Sequence, residues 1–289
     1  MIIYTDFAII LALFSAIFHA INNALLKSNS ERLYLRVWIG LGSAFIVLPF
    51  IFFVPFPSLQ MWICLGASGL IHFIYQILLI NSYRLADLSL VYPVARGVSP
   101  LFITLGAFLF FGDKITLGIA LGIFFITSGI MMLAFENISK FSKNPNLYKG
   151  IILALLTGVC ITFYTLIDAY GIRLSQNAWS YIVWYFLISE NALMIIYLLK
   201  YHRYNLKQKL KSCWQQGFIA AVLSLLSYGL AMLAFRYGHA AQVAAMRETS
   251  IIFGSLLGLF ILKERFTVFR LLAACLVVVG CIMTRLLII

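Results

Sequence analysis

Charged residues are scarce in this sequence. Asp, Glu, Lys and Arg make up 10% of its 289 residues, whereas 63% are hydrophobic. A soluble domain carries about 25% charged residues, which keep its surface hydrated. With so few charges and a mean hydropathy of +1.02, most of the surface of this chain must face lipid. The composition therefore excludes a water-soluble domain and indicates an integral membrane protein.

The short motifs of common enzyme chemistry are also missing. The sequence has no HExxH, no GxSxG and no Walker phosphate loop, the motifs that supply a zinc site, a nucleophilic serine and ATP binding. Its five cysteines form no CxxC pair and lie in or beside apolar segments, as buried packing cysteines do. We therefore expect no enzyme activity, no cofactor and no bound metal.

Basic residues outnumber acidic residues by 21 to 9. In a soluble protein this excess would suggest nucleic acid binding, but here the basic residues lie mainly in short loops between apolar segments. One set of alternating loops holds fifteen of the 21, and the opposite set, with both termini, holds Lys114, Arg173, Arg236 and Arg285. Because cytoplasmic loops are enriched in Lys and Arg, we expect both termini outside the cytoplasm and no nucleic acid partner.

Ten apolar segments are long enough to cross a bilayer, which requires about 20 predominantly apolar residues. The connections between them are short, so no separate soluble domain remains. The segments predict an all-α integral membrane protein with ten transmembrane helices. They are 5–27, 33–54, 59–82, 88–110, 115–135, 150–171, 178–200, 213–235, 240–262 and 266–287.

The second half of the sequence repeats the first. A shift of 151 residues aligns Arg96 with Arg247, Ser99 with Ser250, and Gly129 with Gly280. The repeat predicts two five-helix units, residues 1–143 and 144–289. Because five crossings per unit is an odd number, the two units must have opposite orientations in the membrane, as in many secondary transporters.

Arg96 and Arg247 lie in the middle of the fourth and ninth apolar segments. A charged side chain at mid-membrane costs about 2.5–3.5 kcal/mol on insertion scales, so it usually faces a cavity or a partner. A guanidinium can bind a carboxylate or phosphate through two parallel hydrogen bonds, which favours a solute with an anionic group. The alternative is a structural ion pair inside the bundle, with Glu248 or Glu190 as the partner.

Polar side chains recur at helical spacing in several segments, which indicates one central polar cavity. Residues three or four apart share a helix face, so such a stripe faces protein or water. Pro93 and Pro100 stand on either side of Arg96, where proline bends a helix. Besides the two arginines, the side chains expected to line the cavity are His19, Asn22, His72, Tyr75, Gln76, Tyr92 and Tyr228.

Three acids are candidate proton carriers for coupled transport: Asp168, Glu190 and Glu248. Burial raises the pKa of a carboxyl group and a nearby arginine lowers it, and the sequence leaves open which effect is larger. Asp113 and Glu264 differ, because they stand where the fifth and tenth segments begin. Negative charge is stabilised at a helix N-terminus, so we interpret these two acids as structural.

The helix-start motifs also resemble a known family, the EamA type of the drug/metabolite transporter superfamily. The matching residues are Gly112-Asp113-Lys114-Ile115-Thr116 with the later Gly129, and Lys263-Glu264-Arg265-Phe266-Thr267 with the later Gly280. The resemblance implies ten helices in two inverted repeats, a central cavity and ATP-independent movement of small metabolites. Two features depart from the family pattern: Lys263 replaces a glycine, and relatives are usually drawn with cytoplasmic termini.

We therefore expect a secondary transporter of small polar metabolites, amino-acid-like or otherwise anionic, that works by alternating access in the bacterial inner membrane. Its partners would be the solute and the lipid bilayer, with proton coupling as an option, and it would act as a monomer or homodimer. One alternative is an exporter of lipophilic or aromatic compounds, favoured by an aromatic fraction of 16%. A non-transporting receptor or scaffold would not require so many polar stripes at mid-membrane.

Overall fold

The protein is mainly helical in the part that the computed structural model describes, residues 2–29, 32–85, 88–141, 146–189, 200, 206–260 and 267–286. Two short helices of other types also occur, a 3-10 helix at Leu48–Phe53 and a π-helix at Tyr185–Ser189. The α-helices are α1 (Ile2–Ser28), α2 (Arg32–Val47), α3 (Leu59–Leu85), α4 (Leu88–Phe111), α5 (Leu117–Phe141), α6 (Leu147–Leu174), α7 (Ala178–Trp184), α8 (Leu206–Ser212), α9 (Trp214–Tyr237), α10 (Ala240–Arg247), α11 (Ser250–Phe260) and α12 (Val268–Leu286). The all-α prediction is confirmed for these residues.

Eight helices of the described chain are long and apolar enough to cross a membrane, namely α1 to α6, α9 and α12. The chain is therefore a multi-pass membrane protein. Two predicted segments lack a helix of that kind. The seventh begins with a shorter apolar helix, Ala178–Ile188, and most of its remainder lies outside the described residues. The ninth is divided into α10 and α11 by a turn at Glu248 and Thr249.

Helices from the two halves of the chain pack against each other. Helix α6 contacts both α3 and α4, and α1 contacts α9, α10 and α11. A glycine permits the closest of these approaches, because a Cβ added at Gly158 of α6 would lie 2.7 Å from the carbonyl oxygen of Ala95 in α4. The core is thus shared between the halves.

Two glycines bring α5 and α12 together, as small residues do between membrane helices. A Cβ added at Gly122 would lie 2.6 Å from the carbonyl oxygen of Gly280, and one at Gly280 would lie 2.6 Å from that of Gly122. The sequence also suggests a close-packing role for Gly254 through its GxxxG spacing. That stays a prediction, since an added Cβ at Gly254 would have no atom within 4 Å among the described residues.

Contacts between distant residues mark the two ends of the bundle. At one, here called the Asp113 end, Asp6 pairs with Arg285 and Ser180 donates a hydrogen bond to the carbonyl oxygen of Pro55 at 2.7 Å. Helices α4, α6 and α9 end there. At the opposite end, here called the Trp38 end, Trp38 donates to the carbonyl oxygen of Leu210 at 2.9 Å and Asn29 hydrogen-bonds to Gln216.

Candidate functional site

Arg96 lies inside α4, which continues as a helix through both Pro93 and Pro100. Proline has no N–H, so Pro100 leaves the carbonyl of Arg96, four residues earlier, without its helical donor. The hydroxyl of Ser99 donates to that oxygen at 3.1 Å instead. The backbone around Arg96 is therefore satisfied locally, and its guanidinium projects into the core with 7% of the residue exposed.

Glu248 is the acidic partner of Arg96. Nη2 of Arg96 lies 3.2 Å from Oε1 of Glu248, across the contact between α4 of the first half and the turn that separates α10 from α11. The pair is incompletely bonded, because Nε and Nη2 of Arg96 and Oε2 of Glu248 have no hydrogen-bond partner among the described residues. The two charges attract at this distance, but the contact is not a well-aligned hydrogen bond. Buried polar atoms are nearly always paired with protein, water or a ligand, so these atoms call for a partner beyond the described residues.

Arg247 adds a second positive charge to the same region. Its guanidinium carbon lies 5.3 Å from the ring centroid of Tyr228 in α9, close enough for a cation–π contact. Its Nε also has no hydrogen-bond partner within the described chain, although only 8% of the residue is exposed. Two arginines and one glutamate thus give this part of the core a net positive charge.

Asp168 of α6 is held by two tyrosine hydroxyls. Tyr181 of α7 donates to Oδ1 at 2.9 Å, and Tyr228 donates to Oδ2 at 2.5 Å. Hydrogen bonds to an ionised acceptor are short and strong. Because Tyr228 also lies under Arg247, this tyrosine links the acid to the arginine.

His72 of α3 is connected to this cluster through contacts with aromatic rings. Its ring stacks on Tyr164 of α6 with centroids 3.8 Å apart, and its Nε2 lies 3.2 Å from the hydroxyl of Tyr185. Its Nδ1 lies 3.2 Å from the carbonyl oxygen of Ser68. Tyr75 packs edge-on against Tyr164, 5.8 Å away.

The remaining predicted lining residues are on α1, α3 and α4. Asn23, next to the predicted Asn22, donates weakly to the hydroxyl of Tyr92 at 3.4 Å. Oδ1 of Asn22 and Oε1 of Gln76 are buried without a hydrogen-bond partner in the described residues. His19 is partly buried and interacts electrostatically with both arginines.

The structure brings together most of the residues that the sequence singled out, but not all of the site was predicted. Glu190 lies outside the described residues. Tyr181 and Tyr185 were not among the predicted site residues. Their i, i+4 spacing in the seventh segment is visible in the sequence and would indicate a shared helix face. Helix α6, which looks weakly polar in sequence, contributes both Asp168 and Tyr164.

A second group of charges lies at the Asp113 end. Asp113 accepts a hydrogen bond from the backbone N–H of Ala240 at 3.0 Å, lies 3.5 Å from Nδ1 of His239 and lies 3.8 Å from Nη2 of Arg173. The expected helix-start role is thus corrected, since Asp113 caps the N-terminus of α10 whereas α5 begins only at Leu117. The left-handed φ of 68° at Gly112 turns the chain here.

Both acid–base partners at this end have shifted pKa values. Burial raises the pKa of Asp113, but the hydrogen bonds from His239 and Ala240 and the charge of Arg173 outweigh it, so the pKa is lowered overall. The hydrogen bond to Asp113 raises the pKa of His239 and outweighs its partial burial. The two shifts favour the charged form of both groups.

Comparisons with known proteins agree with this architecture. The sequence model of the EamA-like transporter family matches residues 6–135 and 148–286. A solved crystal structure of a protein has a similar fold, with a TM-score of 0.72 and 15% sequence identity over 98% of this chain and 96% of that chain. At that identity the likeness shows the fold alone, and no curated protein matches the sequence. Because the family model matches nearly the whole chain in two consecutive pieces, the chain belongs to the EamA-like transporter family.

Proposed function

We propose that this protein is a secondary transporter of small polar metabolites that carry an anionic group. The observation that carries the proposal is the buried pair of arginines, Arg96 and Arg247. Glu248 pairs with Arg96 and interacts electrostatically with Arg247, and both arginines have nitrogen atoms without a hydrogen-bond partner among the described residues. A buried polar atom needs a partner, and a solute carboxylate would accept hydrogen bonds from the guanidinium nitrogens that have none among the described residues. The amide oxygens of Asn22 and Gln76, which have no partner among the described residues, would accept hydrogen bonds from donors on the same solute.

We infer ten membrane crossings arranged as two inverted five-helix repeats, residues 1–143 and 144–289. Two contacts support the opposite orientations. Helix α1 begins at the Asp113 end, where Asp6 meets Arg285, whereas its counterpart α6 ends there, where Arg173 meets Asp113. The seventh and ninth segments would complete the count, the ninth as two short helices joined at the site. Broken helices of this kind form substrate sites in other secondary transporters.

Alternating access would require the two halves to separate at one end while they remain closed at the other. The Asp113 end is closed by Asp113 of the first half against Arg173, His239 and Ala240 of the second. We place the protein in the bacterial inner membrane, where it would act as a monomer or homodimer without cofactor.

A second candidate function is export of lipophilic aromatic compounds. The tyrosine and histidine rings around His72 favour it, since Tyr75, Tyr164 and Tyr228 all lie within 6.2 Å of that ring, centroid to centroid. Such rings would stack against a planar solute. His72 and Tyr164 already stack on each other, with centroids 3.8 Å apart, which favours the polar-solute function.

Transport by purified protein in liposomes tests the proposal. Uptake of radiolabelled carboxylates and of neutral aromatic compounds is compared for the wild type, Arg96→Ala and Arg247→Ala. Arg84→Ala is the matched control, because it removes the same charge from an exposed position at the end of α3. We expect saturable carboxylate transport that both core substitutions abolish and the control retains. Unchanged carboxylate transport by well-folded Arg96→Ala and Arg247→Ala would contradict the anion site, and transport of neutral compounds alone would support the second function.

A further inference from the structure

Four charged side chains are buried in the described part of the protein: Arg96, Asp168, Arg247 and Glu248. When both acids are ionised, their charges cancel. Charged groups deep in a membrane protein must be balanced by one another. The described charges of the site therefore sum to about zero, even though its arginine side is positive.

A monoanionic solute would disturb this balance. Bound at Arg247, it would add one negative charge to a core whose four buried charges already cancel; the partly buried Arg36 of α2 is a further positive charge that acts on His19 and His72. Buried charge without compensation is strongly unfavourable. A proton is the smallest ion that restores the balance, and it needs a carboxylate of the core to receive it.

Asp168 is better suited to receive that proton than Glu248. Protonation of Glu248 would remove the ion-pair partner of Arg96, 3.2 Å away. Asp168 instead accepts hydrogen bonds from the neutral hydroxyls of Tyr181 and Tyr228. A hydroxyl can donate or accept, so both tyrosines can remain bonded to Asp168 after it gains a proton.

The other groups that face Asp168 are consistent with this role. From α3 the hydroxyl of Ser68 hydrogen-bonds to it, Cys64 interacts with it electrostatically, and the ring of His72 lies beside Tyr228. From α10 it interacts with Arg247, the arginine whose Nε has no hydrogen-bond partner among the described residues. A solute carboxylate on Arg247 would therefore reduce the attraction that favours ionised Asp168.

We propose that Asp168 takes up one proton for each monoanion that binds at Arg247, so that solute and proton move together and no net charge is transferred. This inference rests on the proposed transport of anionic solutes. No covalent bond is made or broken in the step: a proton from solution binds a carboxylate oxygen of Asp168, and the solute carboxylate pairs with the guanidinium.

Proton uptake on binding tests this role directly. Sodium lactate, sodium benzoate and sodium phenylacetate are added to detergent-purified protein in weak buffer with a pH indicator, and binding is measured by calorimetry. We expect about one proton per bound anion, and affinity that falls about tenfold per pH unit where free Asp168 is ionised. In Asp168→Asn, uptake should vanish and affinity should not depend on pH.

A second variant covers the case in which Asp168→Asn does not fold. Tyr181→Phe keeps the ring and removes one donor to ionised Asp168, so the pH midpoint of proton uptake should move upward. Anion binding by the wild type without proton uptake, or uptake retained in Asp168→Asn, or an unmoved midpoint in Tyr181→Phe, would overturn this inference alone. If none of the three anions binds the wild type, the anionic-solute proposal fails together with it.

Discussion

At the Arg96–Glu248 pair, two buried charges depend on each other. Removing one partner of a buried ion pair costs about 3–5 kcal/mol, because the other charge is left uncompensated, whereas replacing both by apolar residues is often neutral. We therefore predict that Glu248→Leu and Arg96→Met each lower stability more than the double variant does. Thermal unfolding in detergent would measure this, and additive losses would show that the charges do not compensate each other.

His239 gives the protein a pH-dependent contact at the Asp113 end. Its pKa is raised by Asp113, so its contribution to stability is full below about pH 6.5, the ordinary histidine value, and is lost as pH rises through the raised pKa. Asp113 has the opposite pH dependence, because its pKa is lowered. Its contribution to stability is present above about pH 3.9 and is lost as pH falls through the lowered pKa.

The matching prediction is a stability difference that shrinks as pH rises. His239→Ala should melt at a lower temperature than the wild type at pH 5.5 and at nearly the same temperature at pH 9. The effect will be modest, because the His239 side chain is 53% exposed. Asp113→Asn removes the same contact and should also abolish the pH dependence. A difference between wild type and His239→Ala that is constant with pH would mean that this contact does not involve protonated His239.

Residues of the site differ in how far the sequence could predict them. Arg96 and Arg247 are evident because a charge inside an apolar segment is costly wherever the segment packs. Tyr181 is not, because tyrosine is common at all depths and its partner Asp168 is identified only by the packing of α6 against α7. The pairing of Arg96 with Glu248 rather than Glu190 likewise depends on which helices meet.

Among the elements, the break between α10 and α11 was the least predictable. The ninth segment has no proline or glycine at Glu248 or Thr249, so its apolar character predicts one continuous helix. The hydroxyl of Thr249 donates to the carbonyl oxygen of Met246 at 2.7 Å, which helps to satisfy the backbone at the turn. Arg247 and Glu248, on either side of the start of this turn, face different neighbours, α9 and α4.

The contact between α5 and α12 depends on Gly122 and Gly280. We therefore predict that a glycine-to-alanine substitution lowers stability at Gly280 but not at Gly254. In Gly280→Ala, the new Cβ would lie 2.6 Å from the carbonyl oxygen of Gly122, so backbone must shift at a cost of about 1–3 kcal/mol. Gly254→Ala meets nothing within 4 Å among the described residues and should be neutral or stabilising by about 0.5–1 kcal/mol. Melting temperatures in detergent would compare the two, and equal effects would contradict close packing at Gly280.

For the whole molecule, most predictions from the sequence rest on the internal repeat and on the unequal distribution of Lys and Arg among the loops. The shift that aligns Arg96 with Arg247 relates α4 to the α10–α11 segment, and these elements do meet at the Arg96–Glu248 contact. The sequence could not predict that α6 of the second half packs between α3 and α4 of the first. This packing depends on the shapes of the helix surfaces, such as the close approach of α4 to α6 at Gly158. Hydropathy does not encode these shapes.

The orientation of the whole bundle follows from its loops and can be tested at two exposed residues. His239 lies at the Asp113 end, near Arg173 and Arg236, and Gln216 lies at the Trp38 end, next to the Lys207–Lys211 stretch. Because Lys and Arg are concentrated in cytoplasmic loops, we predict that the Trp38 end is cytoplasmic. In a background with the five native cysteines replaced by alanine, His239→Cys should react with an impermeant maleimide on intact cells. Gln216→Cys should react only after the membrane is opened. The reverse result would place the Asp113 end, and with it Asp6 and Arg285 near the two termini, in the cytoplasm, as is usual for relatives.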